Sequence, residues 1–300
     1  MNRRRFSRTL VGTALGALSS SIPQAMRAQV SERIPFPLSV MLWTVAPTLP
    51  FERRLEMVAE AGYGAVELVR EFEKWTDEDF RRVNARKRSL GIRFDATAGV
   101  WKGIADPDAR EGFLTDLQNF LPITEKLECP GIIVLSGDRI EKFSHQAQHA
   151  ACVETLKRAA DIAAKQHVIL LFENIDPEEN PKYFLTSVAE GFDIIREVGH
   201  PQVKFLYDFF HEQISEGNLI KKLEQNIDLV GLVHIADVPG RHEPGTGEIN
   251  YATIFRRLAD LKYDGYAAME FEPSEDTVAT LRAARQLVQR AVAGGRQPCG

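Results

Sequence analysis

Three cysteines in 300 residues, Cys129, Cys152 and Cys299, are too few and too irregularly placed for disulfide or thiolate chemistry. An odd number with no Cys-x-x-Cys spacing builds neither a zinc ribbon nor a disulfide framework, and allows one bridge at most. No apolar run approaches the roughly 20 residues that a membrane-spanning helix needs, so no membrane anchor is expected. The chain also lacks the glycine-rich phosphate turn that would follow the first strand of a dinucleotide-binding sheet, and no Gly-Lys-Ser/Thr closes a P-loop anywhere. The first thirty residues contain no acid at all; they hold Arg3, Arg4, Arg5, Arg8 and Arg27. The rest of the chain carries 32 basic against 42 acidic residues, a net charge of −10, where the whole chain shows only −5. A body this acidic repels phosphate backbones, which argues against a nucleic-acid partner. The remaining composition, 44% hydrophobic and 26% charged, is that of an ordinary globular chain of one large domain.

The N-terminus reads Arg3-Arg4-Arg5-Phe6-Ser7-Arg8, followed by a weakly apolar run over residues 10–18 and small, turn-forming residues over 19–28. That pattern resembles a twin-arginine export signal, with Ser7 where an apolar residue is more usual. It implies a protein carried to the periplasm already folded, with a cofactor or metal loaded beforehand. Residues 1–30 are therefore assigned to the export signal and 31–300 to the folded domain.

From Pro37 onward short apolar runs alternate with longer amphipathic stretches. The runs cover 38–43, 65–69, 92–98, 131–135, 168–174, 203–208, 229–236 and 266–271. They are rich in Val, Ile, Leu and Phe and barely alternate, as strands buried on both faces do. Helical patterns fill 51–61, 77–90, 108–128, 146–166, 186–198, 214–227, 251–262 and 277–292; Thr76 is placed to cap the second of them and Gly91 to end it. Regular strand–helix alternation calls for a parallel sheet with right-handed crossovers. Eight such units in about 260 residues predict a single (β/α)8 TIM barrel.

Side chains at the C-terminal ends of barrel strands converge on one pocket. The fifth run ends in Glu173, the sixth in Asp208; the seventh carries His234 near its end and the eighth carries Glu270. Packing alone gives no reason for four consecutive apolar runs to end in ionisable groups, because a buried, unpaired carboxylate is costly. Taken singly, Glu173 could pair with an arginine and His234 could be a satisfied core histidine. Taken together, two Glu, one Asp and one His suit a divalent metal ion, Mg²⁺ or Mn²⁺ first, with Co²⁺ or Zn²⁺ as alternatives.

Four strings carry a family resemblance: Leu171-Phe172-Glu173-Asn174-Ile175, Tyr207-Asp208-Phe209-Phe210-His211, the run from His234 to Asn250, and Met269-Glu270-Phe271. They are similar to the hydroxypyruvate isomerases of the xylose isomerase-like barrel superfamily, whose relatives include ketose 3-epimerases and endonuclease IV. The similarity runs from Leu38 to Glu272. It implies that Glu173, Asp208, His234 and Glu270 bind the metal, that Glu173 and Glu270 also move protons, and that His211 and Arg241 hold the substrate. Two positions depart from the isomerase pattern. His234 stands where those isomerases usually carry Gln and the epimerases carry His, and Arg241 lies one residue further from His234 than in the epimerases.

The implied reaction interconverts hydroxypyruvate and tartronate semialdehyde through an enediolate, with a ketose 3-epimerase or related sugar isomerase or lyase as the alternative. The substrate is accordingly a small hydroxy-keto acid or a sugar. Glu173 and Glu270, on strands three apart, would flank it as acid and base if their environments separate their pKa values. Crowding of like charges is expected to raise at least one of them. Arg241 lies in the Gly/Pro-rich loop 239–248 and could grip a substrate carboxylate, or stand on the surface. His211 could polarise a hydroxyl or merely close the turn after the sixth strand. Glu67 at the end of the second strand and Trp101 after the third are further candidates to line the pocket. A homo-oligomer is left open.

Overall fold

The computed structural model describes residues 34–294. The proposed export signal and Cys299 lie outside the described residues. Among the described residues, eight parallel strands close into a barrel in sequence order: β1 Leu38–Met41, β2 Ala65–Leu68, β3 Arg93–Thr97, β4 Gly131–Leu135, β5 Ile169–Glu173, β6 Val203–Asp208, β7 Val230–Ile235 and β8 Tyr266–Met269. Pairing of β1 with β8, Ser39 opposite Ala268, completes the ring and leaves no free edge. The helices around it are α1 Phe51–Glu60, α2 Asp77–Ser89, α3 Arg110–Leu127, α4 His145–Ala164, α5 Val188–Val198, α6 Phe209–Ser215, α7 Leu219–Asn226, α8 Tyr251–Asp260 and α9 Thr277–Gly294. No described helix is long and apolar enough to cross a membrane. Cys129 and Cys152 are buried free thiols.

Helix α2 shows how local chemistry sets an end. Thr76 accepts from the Asp79 amide at 3.2 Å while Asp79 accepts from the Thr76 amide at 2.8 Å, a reciprocal cap on two otherwise unpaired donors. The stretch after β6 differs from the sequence expectation of one helix over 214–227. Asp208 accepts from the Phe210 amide at 2.7 Å and the His211 amide at 3.3 Å, so a helix starts at once, as α6, and α7 follows separately.

Alternation along the strands separates two cores. Phe172, Phe205, Tyr207, Val233, Ile235 and Met269 point outward into the layer between barrel and helices. Met41, Ile133, Leu171, Leu206, Leu232 and Ala268 fill the barrel interior. Because successive side chains alternate, the residue two positions after each interior residue also points inward. Leu171, Leu206, Leu232 and Ala268 are followed at that spacing by Glu173, Asp208, His234 and Glu270. A layer of ionisable groups thus lies directly on an apolar floor.

Candidate active site

Register fixes these four groups at one height. Glu173 lies opposite Leu206 and Asp208 opposite His234, and the Glu270 amide donates to Ile235 O at 3.0 Å. One ligand atom from each of Glu173, Asp208, His234 and Glu270 lies within 4.8 Å of the others. Their arrangement suits a cation. His234 Nδ1 is 2.7 Å from Glu270 Oε2, 3.3 Å from Glu173 Oε1 and 3.9 Å from Asp208 Oδ2. The 2.7 Å approach does not run along a hydrogen-bond direction: His234 Nδ1, Asp208 Oδ2 and Glu270 Oε2 are all buried without a hydrogen-bond partner. Three orphaned lone-pair atoms aimed at one point are what a divalent ion satisfies, and the mixed Glu/Asp/His set fits a hard or borderline one.

The four residues are not equally enclosed. Asp208 and His234 are each 1% exposed, whereas Glu173 and Glu270 keep 6% and 7%, so the two glutamates lie on the less enclosed side of the cluster. Their acidities diverge. Burial pushes the Glu173 carboxyl up; the repulsion expected from crowding, felt from Glu270, is a lesser cause. Burial acts the same way on Glu270, but His234 and Arg241 beside it outweigh burial and hold that carboxyl well below the usual range. Burial opposes charge on His234, yet Glu270 and Glu67 override it and raise the imidazole.

Arg241 is brought to the cluster. Its Nη2 lies 3.0 Å from Glu270 Oε2 and 3.8 Å from Asp208 Oδ2, its Nη1 is 2.8 Å from Glu179 Oε2, and its guanidinium sits over the rings of Phe210 (5.0 Å) and Trp43 (5.7 Å). The loop that carries it is built on Asp237. One Asp237 oxygen accepts from the Val238 and Ile249 amides, both at 3.0 Å, and the other from the Gly245 amide at 2.8 Å. Arg241 itself takes φ +55°, an uncommon conformation that this bonding holds in place. His211 stands in the first turn of α6 rather than in an open turn. Its Nε2 is 3.3 Å from Asp208 Oδ2 and its Nδ1 2.6 Å from Asp176 Oδ2. Burial lowers its pKa, but Asp208 and Asp176 outweigh this and push it up to about 9.

Two candidates fall elsewhere. Glu67 is fully buried with Oε2 2.9 Å from His234 Nε2, behind the histidine and out of a substrate's reach. Its strand position points inward, but β2 places it on the far side of the ring. Trp101 is 45% exposed, with Arg70 stacked 4.2 Å from its ring. Its neighbours Val100, Ile104 and Ala105 take the buried places in that loop, so Trp101 stays on the outer rim.

Sequence reasoning missed Trp43, whose Nε1 donates to Glu270 Oε1 at 3.2 Å. The strand-end rule applied to β1 would have found it. It is presented by a 3-10 turn, Leu42–Thr44, that Arg54 fastens by donating to Val45 O at 2.9 Å. Asp176 and Glu179 were missed too, because they lie in the loop after β5 and only tertiary structure lays that loop over α6. Asp176, Glu179 and His211 form a second acid–histidine group beside the first.

The sequence model for the xylose isomerase-like TIM barrel matches residues 55–290. Hydroxypyruvate isomerase of Escherichia coli is 32% identical over 237 residues, 77% of this chain and 92% of that protein. A 2-oxo-tetronate isomerase of Cupriavidus necator is 35% identical over 243 residues, 77% of this chain and 90% of that protein. Among solved structures, an AP endonuclease, family 2, from Brucella melitensis superposes with a TM-score of 0.75 at 26% identity, covering 82% of this chain and 97% of that one.

Proposed function

The chain belongs to the xylose isomerase-like TIM barrel family and is an isomerase, and from that premise we propose that it interconverts hydroxypyruvate and tartronate semialdehyde with the help of a divalent cation. The observation that carries this reading is the convergence of Glu173, Asp208, His234 and Glu270 with three orphaned, buried lone-pair atoms, directly beside Arg241. Those four residues would hold the ion. When bound, it acts as a Lewis acid for the negative charge that develops on neighbouring carbonyl and hydroxyl oxygens of the substrate. Relatives named for hydroxypyruvate and for 2-oxo-tetronate both act on 2-oxo acids, and Arg241 is a cation placed to take such a carboxylate.

The chain's own groups divide the remaining work. Glu270, paired with the Arg241 guanidinium, removes the proton from the hydroxymethyl carbon. Glu173, raised by burial, is the better proton carrier and delivers a proton to the former carbonyl carbon. Meanwhile the hydroxyl proton shifts between the two oxygens, with His211 Nε2 on the cluster side as the polar group at hand. Trp43 and Phe210 flank Arg241 and keep bulk water from its salt links.

The deciding experiment offers the Mn²⁺-loaded protein hydroxypyruvate, a 2-oxo-tetronate and a panel of ketoses in deuterated water. Turnover of the 2-oxo acids with solvent deuterium in the product supports the reading. Turnover confined to the ketoses would replace it by the epimerase alternative. The twin-arginine pattern of residues 1–30 supports a periplasmic location, which fractionation of cells expressing the full chain tests directly.

A further inference from the structure

Below the ligand layer the barrel holds two carboxylates that the proposed chemistry leaves unused. Glu67 on β2 accepts from His234 Nε2 through Oε2 at 2.9 Å, while its Oε1 is buried with no partner. Asp95 on β3 accepts from Ser39 Oγ at 2.6 Å through Oδ1, while its Oδ2 is buried with no partner. The two residues are neighbours across a strand irregularity. Val66 pairs with Phe94 and Leu68 with Thr97, so Glu67 alone faces the step from Asp95 to Ala96. Such a bulge re-aims side chains and brings two acids inward side by side.

An orphaned carboxylate oxygen in a dry interior costs free energy, and two of them on adjacent strands call for a shared partner. Buried waters occupy such sites. A cavity of about 700 Å³, reaching Asp95 and Ala96 and bordered by the strand starts Gly131, Ile169 and Tyr266, gives water a way in from the end opposite the cluster.

We propose that Glu67 and Asp95, joined by a buried water, form a positioning pair that fixes the ring of His234 and thereby sets how tightly the cluster holds its cation. The inference rests on the cation reading of that cluster. An imidazole has two different nitrogens, and the one not bonded to a partner is the one free to ligate. Glu67, as acceptor of the Nε2 proton, leaves the Nδ1 lone pair facing Glu173, Asp208 and Glu270. Asp95 in turn holds Glu67. Burial, and next the neighbouring Glu67, push the Asp95 carboxyl well above its usual range, so it serves as the uncharged donor of the pair. An amide can do the same work, whereas Glu67 is needed as an acceptor toward His234 Nε2.

Mn²⁺ titration calorimetry on metal-stripped wild type, Glu67→Ala, Glu67→Gln, Asp95→Asn and Asp95→Ala, with a melting curve for each, tests this. The expected result is that Glu67→Ala weakens Mn²⁺ binding about 10- to 100-fold, the usual loss for a partner behind a ligating histidine. Glu67→Gln should fall between Glu67→Ala and wild type, and it carries the test if the alanine variant does not fold. Asp95→Asn should bind close to wild type and Asp95→Ala more weakly than Asp95→Asn. A wild type that binds Mn²⁺ alongside Glu67 variants that bind it equally well, whatever their melting temperatures, overturns this inference alone. A wild type that takes up no Mn²⁺ overturns the cation reading and this inference with it. Asp95→Asn binding as poorly as Asp95→Ala removes the uncharged-donor role, and a high-resolution map without a water between Glu67 Oε1 and Asp95 Oδ2 removes the bridge.

Discussion

Glu270 is approached by Trp43 Nε1 at 3.2 Å and Arg241 Nη2 at 3.0 Å, both cationic or donor groups that favour its ionised form. Glu270→Gln keeps the shape and removes the proposed base. Turnover should fall by about two to four orders of magnitude, the scale for losing a positioned proton-transfer group, with the melting curve little changed. An enzyme of near wild-type rate would show that protons move through other groups. A second residue-scale expectation concerns Glu212, which is fully buried, accepts from the Val188 amide at 3.2 Å and pairs with Lys222. Burial outweighs Lys222 and pushes its carboxyl up to about 7 from 4.5. In the window between those values the folded protein keeps a proton that the unfolded chain has released. Its contribution is therefore full below about 4.5 and is lost as pH rises through about 7. Glu212→Gln should flatten the fall in melting temperature across that window; an unchanged profile would assign the slope to other groups.

At the scale of elements, the loop from β7 to α8 is held by one side chain more than by its own backbone. Asp237→Ala leaves the amides of Val238, Gly245 and Ile249, the last of them buried, without their acceptor. A buried orphaned donor such as the Ile249 amide costs about 1–3 kcal/mol, so the melting temperature should drop by a few degrees. With the loop loosened, Arg241 loses its place and KM for a 2-oxo acid should rise more than kcat falls. At the start of α2, Thr76→Ala breaks a reciprocal cap and should cost about 1 kcal/mol in a denaturant titration, with no effect on metal binding. These elements also show what a chain can disclose about itself. The Thr76 cap and the bounds of β4 and β6 are local matters and are legible directly. The early start of α6 is not, since it depends on Asp208 turning back onto two amides while also facing the cluster.

For the whole molecule, four proposed ligands at the ends of four strands mean that a bound cation would tie β5, β6, β7 and β8 together at one end of the barrel. Any ion that binds only the folded state stabilises it by mass action, about 2.7 kcal/mol at a hundredfold excess over Kd. Mn²⁺ should raise the melting temperature and a chelator should reverse the rise; indifference to both would count against a cation at this site. The sequence by itself determined the eight strand–helix units, the closed parallel barrel they build, and the four strand-end groups, because periodicity and strand ends are properties of short segments. It also marked Arg241 and His211 as candidates through their strings, and the barrel places both beside the cluster. Only the tertiary structure decided what each of these groups faces. It turned Glu67 from a pocket candidate into the partner of His234, left Trp101 on the rim beside Arg70, and brought Trp43, Asp176 and Glu179 to the site. The physical reason is that closing a ring of strands sets which side chains meet across it. His234 and Glu67 are 167 positions apart in the chain and 2.9 Å apart in the barrel.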